Sequence, residues 1–198
     1  MNDGFFALIS RMRYIARWGL MRNSVPENIQ EHSHMVAVVA HALGVISRDV
    51  FGRDCDPDKL ATHAIFHDAS EILTGDLPTP IKYHSQEITG AYHEVERAAS
   101  QRLLGMLPAE LQGAYAPILL GELKESDRRL LKAADRISAY LKCVEERKAG
   151  SFEFLSAEKQ TRRRIADMAL PEADYFMERF TPAFERDLDE LGMMEEKL

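Results

Sequence analysis

An all-α fold is the class that this sequence predicts, and three observations support it. Apolar residues recur at spacings of three and four along most of the chain, which is the period of helices with one buried face. Helix-start residues precede these segments, as Asp56 and Pro57 do before one of them. Asn-Gly hairpin turns and alternating strand patterns do not occur in the sequence.

The first three helices follow in order from these patterns. The apolar stripe of the first consists of Phe5, Leu8, Met12 and Ile15. A long second helix spans about residues 28–50 and ends at Gly52, and its inward residues are expected to be Met35, Val38, Val39, Ala42 and Ile46. Asp56 caps the third helix, which carries His67 and Asp68 in its middle and breaks at Gly75.

The remaining helices are expected over about residues 85–106, 108–120 and 126–149, with two or three more before and after Pro171 and Pro182. Ser126 is the predicted N-cap of the helix over residues 126–149, and Gly150 ends it. A chain of 198 residues with no repeat or convincing linker suits one domain.

Composition excludes several classes of function. The net charge of −7 argues against nucleic acid as the main partner, and the basic run Arg162 to Arg164 is interpreted as a solvated helix face. Cys55 and Cys143 lack C-x-x-C spacing, which favours a reduced, cytoplasmic protein. We expect neither a signal peptide nor a membrane partner, because charged residues interrupt the N-terminal segment and no apolar run approaches about 18 residues.

Ionisable side chains occur at positions that should be buried. The stretch AIFHDASEILTGDLPTP, residues 64–80, places His67 and Asp68 in an apolar segment, and His32 and Asp135 occupy comparable places on other helices. A buried charge costs several kcal/mol unless it is paired, and a metal ion is one such partner. Two imidazoles and two carboxylates suit a divalent transition metal, whereas carboxylates alone would suit magnesium or calcium. The alternative is that each residue is a satisfied polar group of the core.

The other histidines are weaker candidates. His63 and His67 have the i, i+4 spacing that can bind zinc, but the HExxH motif is missing. The expected places of the rest are the packed core for His34 and His41 and the surface for His84 and His93. Lys132, one turn before Asp135, could contact phosphate or simply offset acidic charge.

The order His32, His67-Asp68, Asp135 matches the H…HD…D signature of HD-domain metal-dependent phosphohydrolases. The segments RWGLMRN, ENIQEHS, HDASEILTGDLPTPIKY and AYLKCVEE resemble the bacterial 5′-deoxynucleotidases of that family, over most of residues 5–150. DYFMERFTPAF is similar as well, whereas residues 84–125 and 151–170 are less recognisable.

This resemblance implies a single HD-domain helical bundle over residues 1–198, with a metal-site core over about 28–145 and C-terminal helices over about 151–192. It also implies a homodimer. The metal ligands would be His32, His67, Asp68 and Asp135, and they would hold one divalent transition metal. Co²⁺ and Mn²⁺ come first, and Fe²⁺, Cu²⁺ and Zn²⁺ are alternatives that accept the same ligands.

Further residues acquire roles from the resemblance. Glu71 would serve in proton transfer, and the alternative is that it holds a ligand histidine in place. Arg17 would orient the phosphate for catalysis, since arginine can grip phosphate with two parallel hydrogen bonds. Trp18 would crowd the sugar where a ribose carries its 2′-hydroxyl. The other expected substrate contacts are Asp68, Asp76, Leu77, Pro78, Thr79 and Asp135, although Asp76 could instead cap the turn.

Three functions remain open from the sequence. The first is hydrolysis of deoxyribonucleoside 5′-monophosphates to deoxyribonucleoside and phosphate. The second is another HD phosphohydrolase activity, on a cyclic nucleotide, a nucleoside triphosphate or an alarmone. The third is a non-catalytic nucleotide-binding protein. The absence of a Gly-rich phosphate loop favours hydrolysis of a bound monoester over use of ATP.

Overall fold

The computed structural model describes residues 3–82 and 84–192, apart from the side chain of Thr79, and all regular elements within these ranges are helical. One isolated antiparallel bridge joins Ala16 to Asn28. The predicted all-α class is therefore confirmed. Within the same ranges, no helix has both the length and the apolar character that a membrane crossing requires.

The α-helices, in chain order, are α1 (Phe5–Ile9), α2 (Ile29–Val45), α3 (Pro57–Phe66), α4 (Glu71–Thr74), α5 (Thr79–Lys82), α6 (Gln86–Leu104), α7 (Ala109–Leu119), α8 (Glu125–Lys148), α9 (Leu155–Ala166) and α10 (Pro171–Arg179). A π-helical turn, Ile46–Val50, extends α2. Short 3-10 turns occupy Ser10–Tyr14, Phe152–Phe154 and Thr181–Glu185.

Side-chain caps explain where two of these helices begin. The Asn28 side chain accepts hydrogen bonds from the backbone of Gln30 and Glu31, which completes a capping box at the start of α2. The Asp56 side chain accepts hydrogen bonds from the backbone of Asp58 and Lys59 and so caps α3 ahead of Pro57, as predicted. The predicted N-cap at Ser126 is wrong, because α8 begins one residue earlier and the Ser126 hydroxyl donates to Asp127 instead.

The predicted third helix is interrupted just where its polar residues lie. The helix α3 ends at Phe66, and residues 67–70 form turns before α4. His67 Nδ1 lies 2.7 Å from the Ala64 carbonyl oxygen, which is the acceptor that the Asp68 N–H would use in a continuous α-helix. His67 and Asp68 therefore follow a helix end and do not lie in the middle of a helix, where the sequence had predicted them.

The core is centred on α2, α3 and α8, which pack against one another. At the crossing of α2 and α3, a Cβ on Gly44 would lie 2.9 Å from the Pro57 Cα, so this close approach requires glycine. Buried side chains from the three helices include Val36, Val39, Leu43, Leu60, Ala64, Leu130, Ala134 and Ile137. A second buried cluster consists of Phe5, Ala69, Leu103, Leu107 and Leu119.

One face of α2 departs from prediction. Val38 is 52% exposed, and His34 and His41 are exposed as well. These three positions follow one another at spacings of four and three, so they form a single solvent-facing stripe. Placing them in the core was wrong, whereas the surface positions of His84 and His93 are confirmed.

Candidate active site

Three predicted ligand residues meet where α2, α3 and α8 converge. His32 lies in the first turn of α2, His67 follows the end of α3, and Asp135 lies near the middle of α8. One ligand atom from each of these residues lies within 4.8 Å of the others. His32 is fully buried, and the other two are half-buried. Groups far apart in sequence thus form one cluster that a metal ion could occupy.

Hydrogen bonds fix how the two imidazoles point. His32 Nδ1 lies 3.1 Å from the Ser138 hydroxyl, and His67 Nδ1 donates to the Ala64 carbonyl. Each ring is held through Nδ1, and its Nε2 faces the carboxylates. His32 Nε2 is buried and makes no hydrogen bond among the described residues. A buried nitrogen left with a free lone pair is what a metal ligand requires.

Asp68 lies beside this cluster. Its Oδ2 is 3.1 Å from His67 Nε2 and 3.7 Å from His32 Nε2. On the other side, Asp135 Oδ1 lies 3.2 Å from His32 Nε2, while its Oδ2 accepts a hydrogen bond of 3.0 Å from Lys132. All four predicted ligands are therefore neighbours, and Lys132 stabilises one of them.

The electrostatics of the cluster call for a cation. Burial opposes the charge on His67, but the Asp68 carboxylate outweighs burial and raises the pKa of the imidazole. The pKa values of Asp68 and Asp135 are lowered despite burial, mainly by His67 and by Lys132 respectively. Burial lowers the pKa of His32. Without a metal, a proton on His67 balances the two carboxylates. A divalent ion would replace that proton as the partner of the carboxylates, and both imidazoles would then bind it in their neutral form.

Glu71 opens α4 and is nearly inaccessible, with 6% of its surface exposed. Its Oε2 is buried and has no hydrogen-bond partner among the described residues. Burial, together with the charges of Asp68 and Asp76, raises the pKa of this carboxyl to about 9. Glu71 is thus a carboxylic acid that keeps its proton at neutral pH in the absence of a metal.

Arg17 and Trp18 lie on a loop that leaves the first helical segment. The Arg17 guanidinium acts on the pKa values of His32, Glu71 and Asp76, which places its charge beside the cluster. Trp18 has a φ of 57°, a left-handed conformation that costs a bulky residue about 1 to 3 kcal/mol. Its indole ring packs against Phe154, with 5.3 Å between the ring centroids.

The turn after α4 forms another side of the site. Gly75 adopts a φ of 74°, which permits the sharp exit from the helix. Asp76, Leu77 and Pro78 are half-buried, and burial raises the pKa of Asp76. The side chain of Thr79 lies outside the described residues, so its predicted substrate contact stays a prediction.

The sequence did not predict the contacts of Lys82, on α5, with Tyr92 and Glu96, on α6. The Lys82 ammonium donates to Glu96 at 2.7 Å and lies 4.5 Å from the centroid of the Tyr92 ring. The Tyr92 hydroxyl lies 3.4 Å from the Thr74 hydroxyl, at the end of α4. The sequence offered no signal for this contact, because Lys82 and Glu96 are fourteen positions apart and meet only when α5 packs against α6. His63 is buried, but it is not among the residues that the cluster unites.

Known proteins resemble this chain over nearly its whole length. A family model described as 5′-deoxynucleotidase YfbR-like matches residues 4–184. A 5′-deoxynucleotidase of Vibrio parahaemolyticus is 48% identical over 189 residues, covering 95% of this chain and 97% of that protein. A 5′-deoxynucleotidase of Erwinia tasmaniensis is 47% identical over 193 residues, covering 97% and 98%.

Solved structures share the fold. An HD-domain phosphohydrolase of Listeria innocua aligns with a TM-score of 0.80 and 23% identity, over 93% of this chain and 89% of that one. The HD phosphohydrolase of cyanophage S-2L, solved with dA and one catalytic Zn²⁺ ion, aligns with a TM-score of 0.59 and 22% identity, over 87% and 94%. From its sequence, the chain belongs to the YfbR-like 5′-deoxynucleotidase family, and it shares its fold with HD-domain phosphohydrolases.

Proposed function

We propose that this chain is a metal-dependent 5′-deoxynucleotidase that hydrolyses deoxyribonucleoside 5′-monophosphates to deoxyribonucleoside and phosphate. The observation that carries the proposal is the cluster of His32, His67 and Asp135 with the buried carboxyl of Glu71 in the adjoining helix. Relatives named 5′-deoxynucleotidase, at 47% to 48% identity over nearly the full length, support the substrate class.

His32, His67, Asp68 and Asp135 would hold the metal. When bound, such an ion lowers the pKa of water and offsets charge on the phosphoryl group. Co²⁺ and Mn²⁺ are our first candidates, with Fe²⁺, Cu²⁺ and Zn²⁺ as alternatives, and the cyanophage enzyme with its Zn²⁺ supports the last of these.

Glu71 supplies the proton that the leaving group needs. As the bond between phosphorus and the 5′-oxygen breaks, the protonated carboxyl donates to that oxygen. The water that adds to phosphorus returns a proton to the carboxylate, so the residue is restored after each turnover. Burial of Glu71 favours the protonated form that the first of these steps needs, because an ordinary glutamate has lost its proton at neutral pH.

Substrate contacts complete the proposal. Arg17 would orient the phosphate, and Trp18 would pack against the deoxyribose and exclude a 2′-hydroxyl. The stretch Asp76 to Thr79 would contact the nucleoside, with Asp76 accepting a hydrogen bond from the 3′-hydroxyl. We further propose that the chain is one HD domain, acts as a homodimer in the cytoplasm, and binds neither nucleic acid nor membrane.

Phosphate release tests the function. Metal-stripped protein is supplied with each candidate metal and a panel of 5′- and 3′-nucleotides in ribo and deoxy forms, together with cyclic nucleotides, triphosphates and an alarmone. We expect the 5′-deoxyribonucleotides to react fastest. His67→Ala should lose both metal and turnover, and the exposed His84→Ala serves as the matched control. Faster hydrolysis of a cyclic nucleotide, triphosphate or alarmone, or nucleotide binding without turnover, would contradict the proposal.

A further inference from the structure

We infer that Glu27 is a positioning residue whose carboxylate sets the orientation of both Arg17 and Trp18, and thereby governs discrimination between deoxyribose and ribose. The inference rests on the proposed function for its substrate, but not for its geometry. Glu27 lies immediately before Asn28, the residue that caps α2, and it belongs to neither the metal cluster nor the turn after α4.

One carboxylate oxygen serves both side chains. Glu27 Oε2 accepts a hydrogen bond of 2.9 Å from the Trp18 indole N–H and one of 3.2 Å from the Arg17 guanidinium. The side chains of Glu27 and Arg17 are 14% and 13% exposed, so water screens this ion pair poorly. The guanidinium carbon also lies 5.9 Å from the Trp18 ring centroid. The three groups therefore form one unit in which each restrains the other two.

The backbone of Glu27 contributes as well. Its carbonyl oxygen accepts a hydrogen bond of 2.9 Å from the Arg17 N–H, next to the isolated bridge between Ala16 and Asn28. Residues 17 and 18 are thus fixed to the segment that leads directly into α2. Because His32 lies one turn into that helix, Arg17, Trp18 and a proposed metal ligand share one rigid support.

The conformation of Trp18 shows why such restraint is needed. A left-handed backbone is unfavourable for a bulky residue and persists only where surrounding contacts hold it. Glu27 holds the indole nitrogen, Phe154 packs against the ring, and the Trp18 carbonyl accepts from the Met21 N–H. Of these three groups, Glu27 also binds Arg17. Its loss should therefore affect both Trp18, which is proposed to contact the sugar, and Arg17, which is proposed to orient the phosphate.

The chemistry predicts different results for two substitutions. Glu27→Ala removes the acceptor from a poorly exposed indole N–H and the countercharge from the guanidinium, so both side chains reorient. Glu27→Gln keeps one amide oxygen that can still accept from the indole, but it lacks the charge that holds Arg17. The Ala variant should therefore lose sugar discrimination, and the Gln variant should mainly weaken phosphate binding.

The test compares Glu27→Ala, Glu27→Gln and the control Glu153→Gln in metal-loaded full-length protein. Glu153 accepts a hydrogen bond from the Arg22 N–H on the same loop, but it contacts neither Arg17 nor Trp18. With Ala, we expect the ratio of kcat/KM for dAMP to that for AMP to fall by about five- to 150-fold, the range for an unsatisfied buried polar group. With Gln, we expect a raised KM for dAMP with a smaller change in the ratio. With Glu153→Gln, we expect the parental values.

A second measurement separates this inference from the proposed function. Trp18 is the single tryptophan of the chain, so its fluorescence emission and quenching by acrylamide report its position without any turnover. Glu27→Ala should shift both, and Glu153→Gln should shift neither. A purely structural defect would lower turnover of dAMP and AMP by the same factor, which would overturn the inference. If the parent hydrolyses neither nucleotide, the proposed function fails. Trp18 fluorescence that is unchanged in both Glu27→Ala and Glu27→Gln would overturn this inference separately.

Discussion

Glu71 and Glu146 are both buried glutamates, with 6% and 2% of their surface exposed, yet their surroundings have opposite effects. The Glu146 carboxylate accepts hydrogen bonds from Lys142 at 2.5 Å and from the backbone N–H groups of Ser24 and Val25. These donors outweigh burial and lower its pKa to about 2. Glu71 Oε2 has no hydrogen-bond partner within residues 3–82 and 84–192, and burial raises the pKa of this carboxyl to about 9.

Burial alone therefore does not identify a functional carboxyl. Glu146 has the full set of donors that a structural ion pair needs, and it anchors the loop around Val25 to α8. Glu71 lies beside Asp68 with a raised pKa and one buried oxygen that has no hydrogen-bond partner in the described part of the chain, an arrangement that weakens the fold. A group that lowers stability in this way is a candidate for chemistry.

The largest expected effect is on activity, which substitution of Glu71 should lower. Glu71→Gln should lower kcat by about 10²- to 10⁴-fold, because an amide cannot donate the proton that the leaving 5′-oxygen requires. Metal content, measured by elemental analysis, should be unchanged. The exposed Glu94→Gln is the matched control. Turnover within a few-fold of the parent would assign proton transfer to another group.

The next effect is on stability, which substitution of Glu146 should lower. Glu146→Ala should lower the free energy of unfolding by about 3 to 5 kcal/mol, since it leaves the Lys142 charge buried without its partner. The double variant Lys142→Met, Glu146→Leu should be less destabilised than Glu146→Ala, because no unpaired charge remains. Urea unfolding measures both. Equal losses in the single and double variants would show that the ion pair is not the cause.

The smallest expected effect is a difference in pH dependence, measured on metal-free protein. Glu71 keeps its proton in the folded state up to about pH 9, whereas in the unfolded chain its pKa is the ordinary 4.5. The parent therefore loses stability as the pH rises through this window, because the unfolded state releases the proton and the folded state does not. Glu71→Gln removes that loss, so at pH 6 it should be more stable than the parent by about 2 kcal/mol. At pH 4 the two should be equal.

Glu146 should give the opposite pH profile. Its lowered pKa contributes stability that is fully present above the ordinary glutamate pKa and is lost as the pH falls toward 2. The penalty of Glu146→Ala should therefore shrink in acid. A constant penalty between pH 7 and pH 3 would indicate that packing, and not charge, sets the role of this residue.

Local signals in the sequence predicted much of the fold. The cap at Asp56, the stop at Gly75 and the ordered set of His32, His67 and Asp135 depend on near neighbours or on residue type, and each lies where expected or close to it. The break after Phe66 was not predictable, because it depends on a hydrogen bond from the His67 imidazole to the Ala64 carbonyl oxygen.

Tertiary contacts account for the other differences. Periodicity placed Val38 inward because it could not decide which side of α2 meets α3 and α8. The pairing of Lys82 with Glu96 joins residues fourteen positions apart, and Glu146 meets a loop more than a hundred positions away. Such partners are fixed only when the helices pack, so neither composition nor spacing reveals them.

The bridge between Ala16 and Asn28 has a consequence for how this enzyme family could diversify. It closes the base of a loop, and Glu27 Oε2 joins that base to the side chains of Arg17 and Trp18. The residues between Arg22 and Pro26 belong to that loop, and several of them are exposed. We expect insertions or exchanges there to be tolerated as long as the contacts to Glu146 are kept. New substrate preferences could then arise by loop exchange, while the inherited metal centre stays as it is.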